Sequence, residues 1–177
     1  AGKTVLLRLL CGLMHPSKGQ VIVDGKQLGK DVDFAPDAGI IIETPCFLPY
    51  LSGFQNLKEL ASIRNIISKE EIAEAMEQVK LDPSSRKHVG KYSLGMRQRL
   101  GIAQAIMERP RYLILDEPMN GLDTQGMEDV RELLQKQKET GVTVILASHS
   151  MEDIRLLCDT VHRIQDASLI PCTTEFS

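Results

Sequence analysis

Two adjacent carboxylates close an apolar run, Leu113-Ile114-Leu115-Asp116-Glu117-Pro118, and a turn, Asn120-Gly121-Leu122-Asp123, delivers a third close by. The run Tyr112 to Leu115 is short and bulky and lies between Pro110 and Pro118, the pattern of a buried strand. Burying an ionised carboxylate costs several kcal/mol unless a cation or hydrogen bonds compensate. Acids at a strand tip therefore suggest a metal ion and a nucleophilic water. The plain alternative, a strand end with solvated acids, is weakened by what the rest of the chain carries.

The chain begins Ala1-Gly2-Lys3-Thr4. Gly-Lys-Thr closes the phosphate-binding pattern G-x-x-x-x-G-K-[ST], in which backbone N–H groups cradle phosphates, Lys reaches the terminal ones and the hydroxyl binds Mg²⁺. Val5 to Leu10, ending at Gly12, reads as the buried helix such a loop feeds, its N-terminus aimed at the phosphates. The upstream glycine and the strand before it are expected to precede Ala1, so the chain reads as truncated within the loop. Expressed alone it is expected to bind ATP weakly or not at all and to be poorly soluble.

A third segment, Tyr92-Ser93-Leu94-Gly95-Met96, opens a helix that Pro110 stops; a small hydroxyl residue and a glycine at a helix start again suit an anion. At these residues the chain resembles the ATP-binding cassette (ABC) family. Tyr92 to Met96 stand at the family's signature, Asp116-Glu117 at its Walker B carboxylates, Asn120-Gly121-Leu122-Asp123 at its D-loop and Ala147-Ser148-His149 at its switch histidine. The order and spacing fit over nearly the whole chain, most closely to exporter ATPases of the bacitracin and lantibiotic resistance type.

The resemblance implies the fold, a P-loop NTPase of α/β class with a parallel-sheet core and an inserted α-helical subdomain. The core takes residues 1–46 and 110–177, and the insertion residues 47–109. It also implies ATP and Mg²⁺ as ligands. Lys3 and the backbone of Ala1, Gly2, Lys3 and Thr4 hold phosphates; Thr4, Asp116 and Glu43 serve the metal. Glu117, one residue beyond the metal carboxylate, is the general base, and His149 contacts the γ-phosphate and the attacking water. Ser93, Gly95 and Asp123 belong to the nucleotide interface, the signature serving the ATP of a second, head-to-tail ATPase subunit, in a homodimer or heterodimer. Three positions depart from the family pattern. Glu43 replaces the usual glutamine, putting one more negative charge before an anionic nucleotide, and Leu94 and Met96 replace a glycine and a glutamine of the signature.

The elements that must position these groups read as follows. Val21 to Lys26 is a strand and tight turn at Asp24-Gly25. Gly39 to Ile42 is a buried strand, and the pattern turns helical from Phe47 to Arg109. Ser68-Lys69-Glu70-Glu71 is a capping box. Thr124 to Lys138 is an amphipathic helix stopped at Gly141, and Val142 to Ala147 a strand with His149 just past its end. Ligands sit outside the carboxyl ends of parallel strands, where Asp116, Glu117 and His149 all fall. His15, His88 and His162 read as surface or packing residues, and Arg97 and Arg99 as a solvated helix face.

Composition is that of a globular domain: 177 residues, 42% hydrophobic and 25% charged, with a net charge of −3 that offers nucleic acid no basic footprint. Four cysteines in no paired metal spacing read as reduced thiols. No apolar run approaches the roughly 20 residues of a membrane helix, so any membrane link runs through a partner; the resemblance implies a polytopic permease, with the ATPase peripheral on the cytoplasmic face of the cell membrane. Cys46 to Leu51, apolar and marked by Pro49, is either plain packing or the groove for that permease. Against the exporter ATPase stand a soluble relative acting on DNA or ribosomes, and an inert fragment. The lack of an Asn-Lys-x-Asp motif argues against GTP.

Overall fold

The computed structural model describes residues 2–172. Its elements in order are α1 (Lys3–Cys11), β1 (Ile22–Val23), β2 (Lys26–Gln27), β3 (Ala38–Ile41), α2 (Gly53–Arg64), α3 (Lys69–Gln78), a 3₁₀ turn (Val89–Lys91), α4 (Leu94–Ile106), β4 (Tyr112–Asp116), α5 (Thr124–Glu139), β5 (Thr143–Ala147), α6 (Met151–Leu157), β6 (His162–Gln165) and β7 (Ser168–Pro171). The fold is α/β, as the sequence pattern implies.

The centre is a parallel sheet in the order β3-β4-β5, with Ile41 beside Leu115 and Leu115 beside Leu146. Side chains alternate across a strand, and this alternation sorts the core. Leu113 and Leu115 of β4 join Ile41, Val144 and Leu146 in the larger cluster, which also takes Leu57, Met76, Leu100, Ile102, Val130 and Leu134 from the helices. Ile114 points the other way, to Leu7 and Cys11 of α1 and Ala147 of β5. The sheet thus lies between α1 on one face and α4 and α5 on the other, and being covered on both faces its strands read as continuous apolar runs. Burial pushes the Cys11 thiol up to about 11, which leaves it an unreactive packing group.

The local signals held. Asp24 and Gly25 both take positive φ, 50° and 74°, in the turn between β1 and β2, the geometry of a two-residue hairpin. Ser68 and Glu71 form the reciprocal capping box at α3; a second box at α2, Ser52 with Gln55, is one the sequence reading missed. Helix α1 stops at Gly12, whose φ of 84° lets its N–H reach back to Arg8 and Leu9 carbonyls.

Arg99 requires a correction. It is not solvated: it donates to the Val79 carbonyl at 2.9 Å and to Asp129 Oδ2 at 2.9 Å, fastening α4 to the end of α3 and to α5. Its guanidinium holds the Asp129 carboxyl below the usual carboxylate range. Spacing along α4 does not disclose this, because α5 covers that side only in the folded chain. Arg97, His15, His88 and His162 are exposed, as expected.

Candidate functional site

The carboxyl ends of the parallel strands meet the N-terminus of α1 at a cavity of about 580 Å³, lined by Lys3, Thr4, Glu43, Asp116, Glu117 and His149 together with Thr44, Leu94, Gln98, Asn120 and Gly121. Each enters for a local reason. Helix α1 starts at Gly2, with φ 106° and no side-chain cap, so its first N–H groups are left to a ligand. Strand β4 ends at Asp116, and β5 carries the chain to His149.

The contacts between these groups are direct. Thr4 Oγ1 donates to Asp116 Oδ2 at 2.6 Å. Lys3 Nζ donates to Glu117 Oε1 at 3.0 Å and to the Ser148 carbonyl at 3.1 Å. His149 Nε2 lies 3.4 Å from Glu117 Oε1, and the His149 backbone N–H donates to Glu117 Oε2 at 3.3 Å. Glu117 is the hub of the site, touched by a cation, an imidazole and a peptide N–H.

Two of the acids that line the cavity carry backbone strain. Glu117 has φ 47° and Glu43 φ 65°, a region that costs a non-glycine residue of order 1–3 kcal/mol and that collects at functional sites. The Glu117 N–H still bonds the Ala147 carbonyl at 2.8 Å, so the β4–β5 ladder continues past the strand end and fixes that conformation. Glu43 is ion-paired with Arg8 of α1, a partner not foreseen from the sequence. That pairing offsets the extra negative charge which the acidic residue brings to the cavity mouth.

An oxygen donor set suits Mg²⁺, which binds through one or two protein oxygens and keeps several waters. The Thr4 hydroxyl and the Asp116 carboxylate, already in contact, fit that requirement, and Glu43, just past the neighbouring strand β3, adds a carboxylate to the lining.

The remaining expected residues lie elsewhere. Ser93 caps α4, its Oγ accepting the Met96 N–H at 3.1 Å, and neither it nor Gly95 lines the cavity. Asp123 caps α5, accepting the Gly126 N–H at 2.8 Å. Ala1 lies outside the described residues. The start of α4 is nonetheless mounted on the site. Gln98 Nε2 donates to the Pro118 carbonyl at 3.0 Å. Leu94 packs on Gly121 so closely that a Cβ there would come within 2.5 Å of Leu94 Cγ. Beside α4's first turn, Lys87 Nζ lies 3.9 Å from Met96 Sδ.

Residues 1–120 match the family described as ABC transporter. The chain is 45% identical over 159 residues to the ABC transporter ATP-binding protein YybJ of Bacillus subtilis, covering 90% of this chain and 73% of that protein. The chain belongs to the ABC transporter family. It is 40% identical to the bacitracin transport ATP-binding protein BcrA of Enterococcus faecalis, over 96% of this chain and 56% of BcrA. To the lantibiotic transport ATP-binding protein SrtF of Streptococcus pyogenes it is 34% identical, over 96% of this chain and 73% of SrtF. The chain therefore spans little more than half the length of several ABC relatives. In fold it is similar to the cassette MJ0796, solved as a dimer in a post-hydrolysis state with ADP and Pi, at a TM-score of 0.82 and 20% identity over 95% of this chain and 78% of that one.

The family's motifs thus assemble in two places. Lys3, Thr4, Asp116, Glu117 and His149 share one cavity, while Ser93 stands at the start of α4. Arg8, Gln98 and the partners of Ser148 were missed by motif reading, because each acts through a contact between elements rather than through spacing. No helix among the described residues is long and apolar enough to cross a membrane.

Proposed function

We propose that this chain is the ATP-binding and hydrolysing part of an ABC-type membrane exporter. Residues 1–46 and 110–177 form its nucleotide-binding core, and residues 47–109 the inserted helical subdomain that carries the signature. The observation that carries this reading is the convergence of Lys3, Thr4, Asp116, Glu117 and His149 on one cavity at the end of the sheet.

In the working site the nucleotide's terminal phosphates replace Glu117 as the partner of Lys3. They take up the free N–H groups at the start of α1, where the helix dipole also favours an anion. The Thr4 hydroxyl and the Asp116 carboxylate, with Glu43, hold Mg²⁺, which when bound neutralises charge on the phosphate oxygens. Freed from Lys3, Glu117 orients a water and accepts its proton as the water oxygen bonds to the γ-phosphorus. The bond to the β-phosphate oxygen breaks, and ADP and phosphate leave. His149, already hydrogen-bonded to Glu117 through its backbone, positions that water and the γ-phosphate. In phosphoryl transfer the protein's task is mostly this placement and charge stabilisation.

Ser93, Gly95 and Asp123 stand outside the cavity because they serve a second cassette, whose ATP lies between its own phosphate loop and this chain's α4. The partner is a second ATPase subunit, the same or related, and both dock on a polytopic permease at the inner face of the membrane. Leu48 and Tyr50, exposed apolar residues following Glu43, supply a permease contact. The names of BcrA and SrtF point the exported cargo towards bacitracin-like or lantibiotic peptides. The test is Glu117→Gln in the intact protein: ATP binding is retained and turnover lost. Turnover within a few-fold of wild type would exclude Glu117 as the base.

A further inference from the structure

The mechanism above leaves one buried charge without a task. Asp153 of α6 is 2% exposed, and Arg131 of α5 reaches it with Nε at 2.7 Å and Nη2 at 2.6 Å, from a side chain only 13% exposed. Such a pair is weak support for stability by itself, since well-packed apolar residues of similar volume do as well or better. Its hydrogen bonds show another use. Ser150 caps α6 and Asp153 stands three residues later, the spacing of a capping box, in which the acid would reach back to the Ser150 N–H. Here it does not. The Ser150 N–H donates instead to Ser148 Oγ at 3.0 Å, the Asp153 N–H donates to Ser150 Oγ at 3.2 Å, and Ser148 Oγ donates to the second Asp153 oxygen at 3.4 Å. The carboxylate is diverted from its own helix to Arg131 and to the loop that carries His149.

We propose that the Arg131–Asp153 pair is the positioning element of the Ser148–His149 loop, fixing from behind the groups that act on Glu117 and Lys3 in front. The loop is held on both sides. In front, Ser148 O accepts from Lys3 and the His149 N–H donates to Glu117; behind, the Ser148 hydroxyl is held by Asp153 and, through it, by α5. Arg131 lies eight residues beyond the Asp123 cap of α5, about 12 Å along a rigid helix. The same helix thus carries the Asn120–Asp123 turn at one end and the anchor of the histidine loop two turns on. Arg131 touches no reacting atom; it acts through His149.

This rests on the role of His149 in the proposed function, and the experiment separates the two. Steady-state turnover, ATP affinity from a fluorescent ATP analogue and melting temperature are measured for wild type, Arg131→Gln, Arg131→Lys, His149→Ala and Arg131→Gln/His149→Ala in the intact protein. Arg131→Gln is expected to lower kcat about tenfold or more, the order that a displaced catalytic group costs. KM for Mg-ATP and analogue affinity should stay within about twofold, and Arg131→Lys should recover part of kcat. In the His149→Ala background, Arg131→Gln should cost clearly less kcat than in the wild type, because residues acting as one unit are not additive, the remainder reporting the Ser148 carbonyl and His149 N–H that alanine leaves in place. Equal losses in both backgrounds, or a loss that follows melting temperature and that lysine does not relieve, would overturn the proposal. Asp153→Asn, of nearly the same shape, takes the place of Arg131→Gln if that variant does not fold. Wild-type turnover in His149→Ala, or no ATP turnover in the wild type, would overturn the reading of the site itself and this inference with it.

Discussion

Two helices of this chain begin with features suited to an anion, α1 at Gly2 and α4 at Ser93, and they differ in what surrounds them. Helix α1 has no side-chain cap and opens onto a cation, a hydroxyl-bound carboxylate and a hub glutamate. Helix α4 is capped by Ser93, which does not line that cavity, while its Leu94 and Gln98 reach the cavity wall and fasten it to the loop that follows the acids. The first brings a cation, a hydroxyl and two acids to one cavity. The second has a hydroxyl and a helix start but nothing to activate water. A chain that carries these two unlike helix starts makes physical sense when each completes the other across two copies.

The sharpest way to break this comparison is to disable the full site alone. Glu117→Gln keeps the shape and removes the base, so hydrolysis should fall by at least about two orders of magnitude, a loss of 2.7 kcal/mol or more in transition-state stabilisation. ATP affinity should be unchanged or tighter. Steady-state phosphate release and ATP titration check both halves of that statement.

A smaller change tests Glu43. Glu43→Ala removes a metal oxygen and frees Arg8, and turnover should fall several-fold with a higher Mg²⁺ requirement. Glu43→Gln leaves an amide oxygen to ligate and should retain most activity. A Mg²⁺ titration of turnover on the three proteins decides it; equal curves would reduce Glu43 to a loop residue.

The smallest effect concerns how α4 is mounted. Gln98→Ala leaves the Pro118 carbonyl without its buried donor, which should lower stability by about 1–3 kcal/mol. Chemical denaturation measures it. A change under about 0.5 kcal/mol would mean that water replaces the amide and that α4 is not held by this contact.

How much of this was readable in the chain follows the reach of each interaction. Strand β4 ending at Asp116, the cap at Ser68, the turn at Asp24-Gly25 and the stop at Gly12 are set by neighbours in sequence, and all were legible. The grouping of Lys3, Thr4, Asp116, Glu117 and His149 was legible through motif order, since parallel strands deliver their carboxyl ends to one edge. The supporting pairs were not. Arg8 meets Glu43 across 35 positions, Arg131 meets Asp153 across 22, and Arg99 meets Asp129 across 30. Each depends on which faces of two helices, or of a helix and a loop, come together, and single-chain spacing does not encode that. The positive φ of Glu43 and Glu117 was equally hidden, because nothing in the residue type announces it.

The central claim is that α1 and α4 act on one nucleotide only across two chains, and Ser93→Arg tests it most directly. The substitution places a bulky cation at the start of α4 and replaces none of the residues that line the cavity of Lys3, Thr4 and Asp116. Sedimentation velocity with Mg-ATP is run on the intact protein as Glu117→Gln and as Glu117→Gln/Ser93→Arg, with ATP affinity measured on the monomer of each. The account predicts an ATP-dependent dimer for the first protein, a monomer for the second and equal monomer affinities. A doubly substituted protein that loses monomer affinity and still dimerises would contradict it.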